Sequence, residues 1–299
     1  MRFKKSCKLP IYKNTLYVER MCNDTYLEFL YLISLEEDKN LNDFIEIYLK
    51  NNINDDFVYK SLTSIDKFCI MLYIRMISLG NDLKISAEKT SLNYNINTII
   101  DNINNKFINT DLITTYNTDI ITINIGLPKD LIISDIDDIY KSLINYIRIE
   151  EEEIFPNSLS KNEFDQIMNL IPASLTENIL NHLTKISKFS ENNYIISPIQ
   201  SSNFNGVNLN FLDRTFLYFI KSIFSDKIIN FYELQYVLFN KLHMDYEWFR
   251  NSTVQECKHY INFYNADMKR QEEASKGGGS SMPSMPSMPR MPSMPSFKR

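Results

Sequence analysis

The stretch from Ser61 to Gly80, SLTSIDKFCIMLYIRMISLG, sets the tightest limit on how this chain can fold. Thr63 can cap a helix whose first turn carries Asp66, a favourable charge at the positive end of the helix dipole. Gly80 then supplies a terminating residue that accepts a left-handed conformation. Between these marks Phe68, Cys69, Ile70, Met71, Leu72, Tyr73 and Ile74 leave almost no polar face, so the helix has to be covered on nearly every side. A membrane span needs roughly 20 predominantly apolar residues, and Lys67 and Arg75 cut this run short. The stretch therefore predicts a central core helix with Asp66, Leu72, Arg75 and Gly80 as its structural residues. A buried guanidinium at Arg75 needs a carboxylate, a carbonyl or a path to solvent. A structural ion pair or a snorkelling side chain is its plain reading, and a binding role is the alternative.

Such a helix needs a large core around it. A chain of 299 residues, 44% hydrophobic and 23% charged, can supply one as a soluble globular protein with one large domain or two smaller ones. Of six glycines, three stand together at 277–279, which argues against glycine-rich nucleotide-binding loops. The formal charge is −5 but unevenly spread: residues 1–20 carry +5, residues 276–299 carry +4, and the body between them −14. An acidic body with basic ends lacks the basic face of a nucleic-acid binder and points to partners with basic patches. Cys7, Cys22, Cys69 and Cys257 form no close pair, which fits reduced thiols in a cytosolic compartment. The basic N-terminal residues have no apolar run behind them, so no signal peptide is expected.

Leu9 to Val18 has the content of an extended arm or edge strand entered after Pro10. A helix from Asp24 or Thr25 to Ser34 and another from Asn40 to Lys50 lead to the core helix. Beyond Gly80 the period becomes alternating. Leu83–Ser86 and residues 92–97 read as strands, residues 98–107 as a short helix, and Leu112–Tyr116 with Ile120–Ile125 as a hairpin about Asn117-Thr118-Asp119. A helix is expected from Ile136 to Ile149, running into Glu150 to Glu153. In the second half Ser160/Glu163, Ser174/Glu177, Asn230/Glu233 and Ser252/Gln255 have capping-box spacing and predict helix after helix, with a loop or hairpin at 193–208. Phe211 to Phe224 reads as a second buried helix. The last helix, 253–274, carries Val254, Cys257, Ile261, Tyr264 and Met268 on one stripe.

The fold class predicted is thus mainly α with a small β-rich insert (α+β). Its organisation is a helical domain at 1–150 with an N-terminal strand and an insert at about 82–126, an all-helical domain at 151–276, and a tail at 277–299. The tail joins a Gly/Ser linker to a Met-Pro-Ser array, in which proline at every third place forbids helix and central strand. In a polyproline II conformation Met282, Met285, Met288, Met291 and Met294 would line one edge, with Phe297 near the end. Two readings stay open: a docking peptide presenting these side chains to a partner's groove, or a disordered solubilising tail.

No catalytic constellation is legible. His243, Cys257 and His259 lack a fourth metal ligand, and Cys257 and His259 point to different helix faces. His182 stands alone on a predicted helix as a surface or boundary residue. The run Glu150 to Glu153 reads as a solvated helix end, and Trp248 as a plug between two helices. No cofactor or metal is expected.

The Leu-Pro and Tyr opening (Leu9, Pro10, Tyr12), the Leu-Thr-x-x-Asp start (Leu62, Thr63, Asp66), then Ile74-Arg75, Ser78 and Gly80 before a β insert resemble the T4-like phage baseplate hub protein family over about the first 150 residues. The stretch Ser252 to Glu273 also looks like the C-terminal part of such proteins. Some relatives carry a Cys pair in the insert; Ala87 and Lys89 stand there here, which removes the case for zinc. The resemblance implies a non-enzymatic protein of tail morphogenesis, a hub component or a chaperone acting on the hub or tape-measure protein. Its partners would be other tail or baseplate proteins, with no nucleic acid and no membrane span. It would be found in the host cytoplasm during assembly, and in the virion tail or baseplate if retained. An adaptor that docks a partner through its C-terminal tail has the same composition and remains the alternative.

Overall fold

The computed structural model describes residues 4–87, 90–107, 112–131, 136–192, 210 and 212–277, so the Met-Pro-Ser array and the expected loop at 193–208 lie outside the described residues. The chain divides into two compact units, Met1–Lys258 and His259–Arg299. The fold is mainly α with small antiparallel sheets.

In chain order the elements are β1 (Lys4–Cys7), β2 (Leu16–Glu19), α1 (Asn23–Ser34), α2 (Asp38–Ile53), α3 (Asp56–Ser61) and α4 (Ser64–Leu79). Then come β3 (Asp82–Ala87), β4 (Thr90–Asn95), α5 (Ile96–Phe107), β5 (Thr114–Asn117), β6 (Ile121–Ile125), α6 (Ile136–Leu143), β7 (Ile144–Ile149) and β8 (Glu152–Ile154). A short 3-10 turn leads to α7 (Lys161–Leu170), α8 (Ala173–Asn192), α9 (Thr215–Phe224), α10 (Ile228–Asn240), α11 (Tyr246–Asn251) and α12 (Val254–Gly277). Only the start of α12 belongs to the first unit.

The helix α4 lies at the centre of the first unit, with every residue from Ser64 to Arg75 buried. Its start is a reciprocal capping box in which Thr63 accepts from the Asp66 backbone and Asp66 accepts from the Thr63 backbone. Phe68 packs on Phe216 and Phe219 of α9, with ring centroids 5.0 and 5.8 Å apart. Phe224, at the end of α9, meets Phe29 of α1 edge-on at 5.0 Å. The start of α1 and the end of α11 are stitched together. The Asn23 backbone N–H donates to Ser252 O, its side-chain amide donates to Phe249 O, each at 2.8 Å, and Arg250 pairs with Asp24 at 2.6 Å.

The expected extended arm is divided. β1 and β2 pair antiparallel, Lys4 opposite Glu19 and Cys7 opposite Leu16, and residues 9–15 between them cross the start of α4 as a loop. The helix expected from Ile136 to Ile149 also divides. It ends at Leu143, and β7 pairs with β6, Ile123 opposite Ile147, in a sheet of order β5-β6-β7-β8. Ile144 and Ile147 are three apart, as on a helix face, but β6 already offers a strand edge whose Ile121, Ile123 and Ile125 are buried. Glu150 takes a left-handed conformation, φ 54°, and turns β7 into β8, so the four glutamates sit on an exposed hairpin rather than at a helix end. The β3–β4 hairpin forms a sheet of its own.

The Ser160/Glu163 box forms with both of its bonds. At Ser252 the neighbouring pair prevails: Thr253 and Glu256 exchange the capping bonds at 2.9 and 3.2 Å. Ser174 lies inside α8, whose first turn is closed on Pro172 O, and α10 begins two residues before Asn230.

Gly80 ends α4 with φ 105° and ψ 168°, a region closed to residues with a Cβ. An added Cβ would meet nothing nearer than 3.9 Å, so the cost of Gly80→Ala is backbone strain alone. Urea unfolding should show a loss of about 2 kcal/mol; an unchanged midpoint would mean that the turn relaxes freely.

Candidate functional site

Four of the buried polar side chains on α4, those of Asp66, Tyr73, Arg75 and Ser78, meet backbone groups outside the helix. Asp66 Oδ1 accepts from Ile11 N at 3.0 Å and Tyr12 N at 3.2 Å, while Oδ2 accepts from the Thr63 hydroxyl at 2.8 Å and the Thr63 N–H at 3.2 Å. Burial pushes its carboxyl above the ordinary range, against the pull of those donors. One face further along, Tyr73 Oη accepts from Lys8 N at 3.2 Å, and Ser78 Oγ accepts from Met21 N at 2.8 Å. The N-terminal segment is thereby held along α4.

Arg75 has carbonyl partners. Its Nε donates to Ile223 O at 2.8 Å, and the terminal nitrogens donate to Gly80 O and, at 3.4 Å, to Asp82 O. Burial lowers its pKa to about 10, so it stays charged at neutral pH. Leu72 is fully buried. Asp66, Leu72, Arg75 and Gly80 thus belong to one helix and its end, and the partners of the Asp66 and Arg75 side chains are residues of this chain.

His182 is buried in α8 rather than lying at the surface, and its Nε2 is 3.2 Å from Gly126 O. A carbonyl only accepts, so Nε2 carries the proton. Burial holds its pKa below the ordinary 6.5. The unfolded chain therefore binds the proton more readily, and the contribution of neutral His182 is complete above about pH 6.5 and shrinks as the pH falls below it. Urea midpoints measured from pH 7.5 to 5.5 should fall more steeply for the native chain than for His182→Gln; parallel curves would refute this. Cys257 is buried against Asn23 and Ser252, whereas His259 and His243 are exposed. Among the described residues no three His, Cys, Asp or Glu side chains are grouped as metal ligands. The aromatic plug next to α10 is Phe249, set against Phe231 and Phe239, while Trp248 is half-buried.

Two charged clusters had no local signature in the sequence. Asp38, at the start of α2, binds Lys221 and, at 3.2 Å, Arg214 across the unit. Burial alone would raise its carboxyl, and the two cations hold it below the ordinary value. The second cluster floors a cleft of about 480 Å³ between α2, α3, the start of α4 and α6. Lys67, 4% exposed, reaches Glu46 at 2.7 Å and lies 4.8 Å from the Tyr59 ring centroid, and the Tyr59 hydroxyl also donates to Glu46. Lys129 and Lys141 stand on the other wall.

Exposed large apolar side chains fall together on α10 and α12, among other helices that carry them singly. In the first unit α10 presents Ile229, Tyr232 and Tyr236, one helical stripe. In the second unit α12 presents Tyr260, Phe263 (73% exposed), Tyr264 and Met268. Among the described residues no helix is long and apolar enough to cross a membrane.

The arrangement is that of a helix-dominated protein in which the inward polar groups Asp66, Arg75 and Ser78 are engaged by its own backbone and aromatic side chains are left exposed on its helices. Residues 1–194 match the family described as T4 bacteriophage base plate protein, and the chain belongs to that family. It is a phage baseplate-related protein, with other phage tail proteins as the class of partner. No curated protein and no solved structure gives a significant match.

Proposed function

We propose that the chain is a non-enzymatic protein of phage tail morphogenesis, either a component of the baseplate hub or a chaperone acting on the hub or tape-measure protein during assembly. Besides the family, the observation that supports this reading is the exposed Tyr260, Phe263, Tyr264 and Met268 on α12, large side chains grouped along one helix. Under this reading Met282, Met285, Met288, Met291, Met294 and Phe297 add further contacts to the same partner. Assembly takes place in the host cytoplasm, and retention in the virion separates a component from a chaperone.

The test is reconstitution with the purified hub and tape-measure proteins of the same phage. The native chain should co-elute with one of them, Phe263→Ser with Tyr264→Ser should weaken the complex about tenfold or more, and removal of residues 277–299 should weaken it further. Quantitative mass spectrometry of purified particles then counts copies per virion. If the chain binds neither protein, the reading fails; if only the truncation is silent, the tail drops out of it.

A further inference from the structure

The cleft beside α4 carries chemistry that the fold itself leaves unanswered. The chain between its basic ends is strongly acidic, yet Lys60, Lys67, Lys129 and Lys141 gather around this one concavity. Glu46 answers Lys67. Lys141 donates only to Leu159 O, at 2.6 Å, and among the described residues Lys129 has no carboxylate at ion-pairing distance. Burial and the neighbouring charge of Lys67 both lower the pKa of Lys129, while Asp130 opposes them. Lys129 and Lys67 thus bring like charges together in an open cleft, an arrangement that an incoming anion relieves.

We propose that this cleft binds a carboxylate-bearing segment of a partner protein, an Asp or Glu side chain seating against Lys129 and Lys141. Two observations favour a carboxylate over a phosphate. Asp130 and Asp138 line the cleft and repel a dianion more than a monoanion. A volume of about 480 Å³ accommodates more than a lone ion. The inference concerns a different surface from α12 and holds whether or not the chain acts on the hub.

Fluorescence anisotropy with a labelled hexaglutamate peptide and the full-length chain at low salt tests it. The native chain should bind, and Lys129→Gln with Lys141→Gln should weaken binding about tenfold. Lys227→Gln, on a distant exposed turn, should leave it unchanged. Asp138→Lys, which adds charge at the rim, should tighten it severalfold, a gain that misfolding cannot imitate. Absence of binding by the native chain, equal binding by the double variant, no gain with Asp138→Lys, or displacement of the peptide by equimolar inorganic phosphate would each overturn the proposal.

Discussion

Asp66→Ala should lower the unfolding free energy by about 4 kcal/mol in urea titrations. The carboxylate is fully buried and receives four donors, two of them backbone N–H groups from residues 11 and 12. Each buried donor left without an acceptor costs about 1–3 kcal/mol, and water reaching the crossing loop recovers part of the sum. Asp66→Asn keeps one oxygen but turns an amide towards the remaining donors, so it should fall between alanine and native. Hydrogen exchange at residues 8–12 should accelerate in both variants. A loss under about 1 kcal/mol for alanine would show that the loop finds other acceptors.

Arg75→Ala should cost about 3 kcal/mol, because it takes the donor from three carbonyls and leaves a void beside α9. Those carbonyls belong to α9, to the end of α4 and to the first residue of β3, so one side chain fastens three segments. Burying the charge is itself unfavourable, which keeps the loss below a simple count of bonds. Arg75→Met separates the contributions, since it restores the apolar stem without the donors. If methionine is as stable as arginine, the guanidinium bonds give no net stabilisation.

The sequence makes the core helix legible because its signals are local: a Thr-x-x-Asp start, an uninterrupted apolar run and a glycine end. The same holds for the β3–β4 and β5–β6 hairpins and for Ser160/Glu163. What Asp66 does was less visible. Its place in the first turn explains a charge there, but its partners at residues 11 and 12 are 55 and 54 positions away, beyond any local window of sequence. The split of the expected helix at Ile144 has the same origin, since a short apolar run is undecided until another strand edge claims it. His182 looked like a boundary residue because the strand end that covers it lies 56 positions back. The lysine cleft draws on α2, α3, α4 and α6, none of which announces it alone.

The seam between residues 20–24 and 249–257 has a mechanical consequence. Tension applied between the N-terminal arm and α12 enters the first unit at two points that are already bonded side by side, through Asn23 to Ser252 and Phe249 and through Asp24 to Arg250. The load is borne across that clasp, and the helices behind it are spared until the clasp gives way.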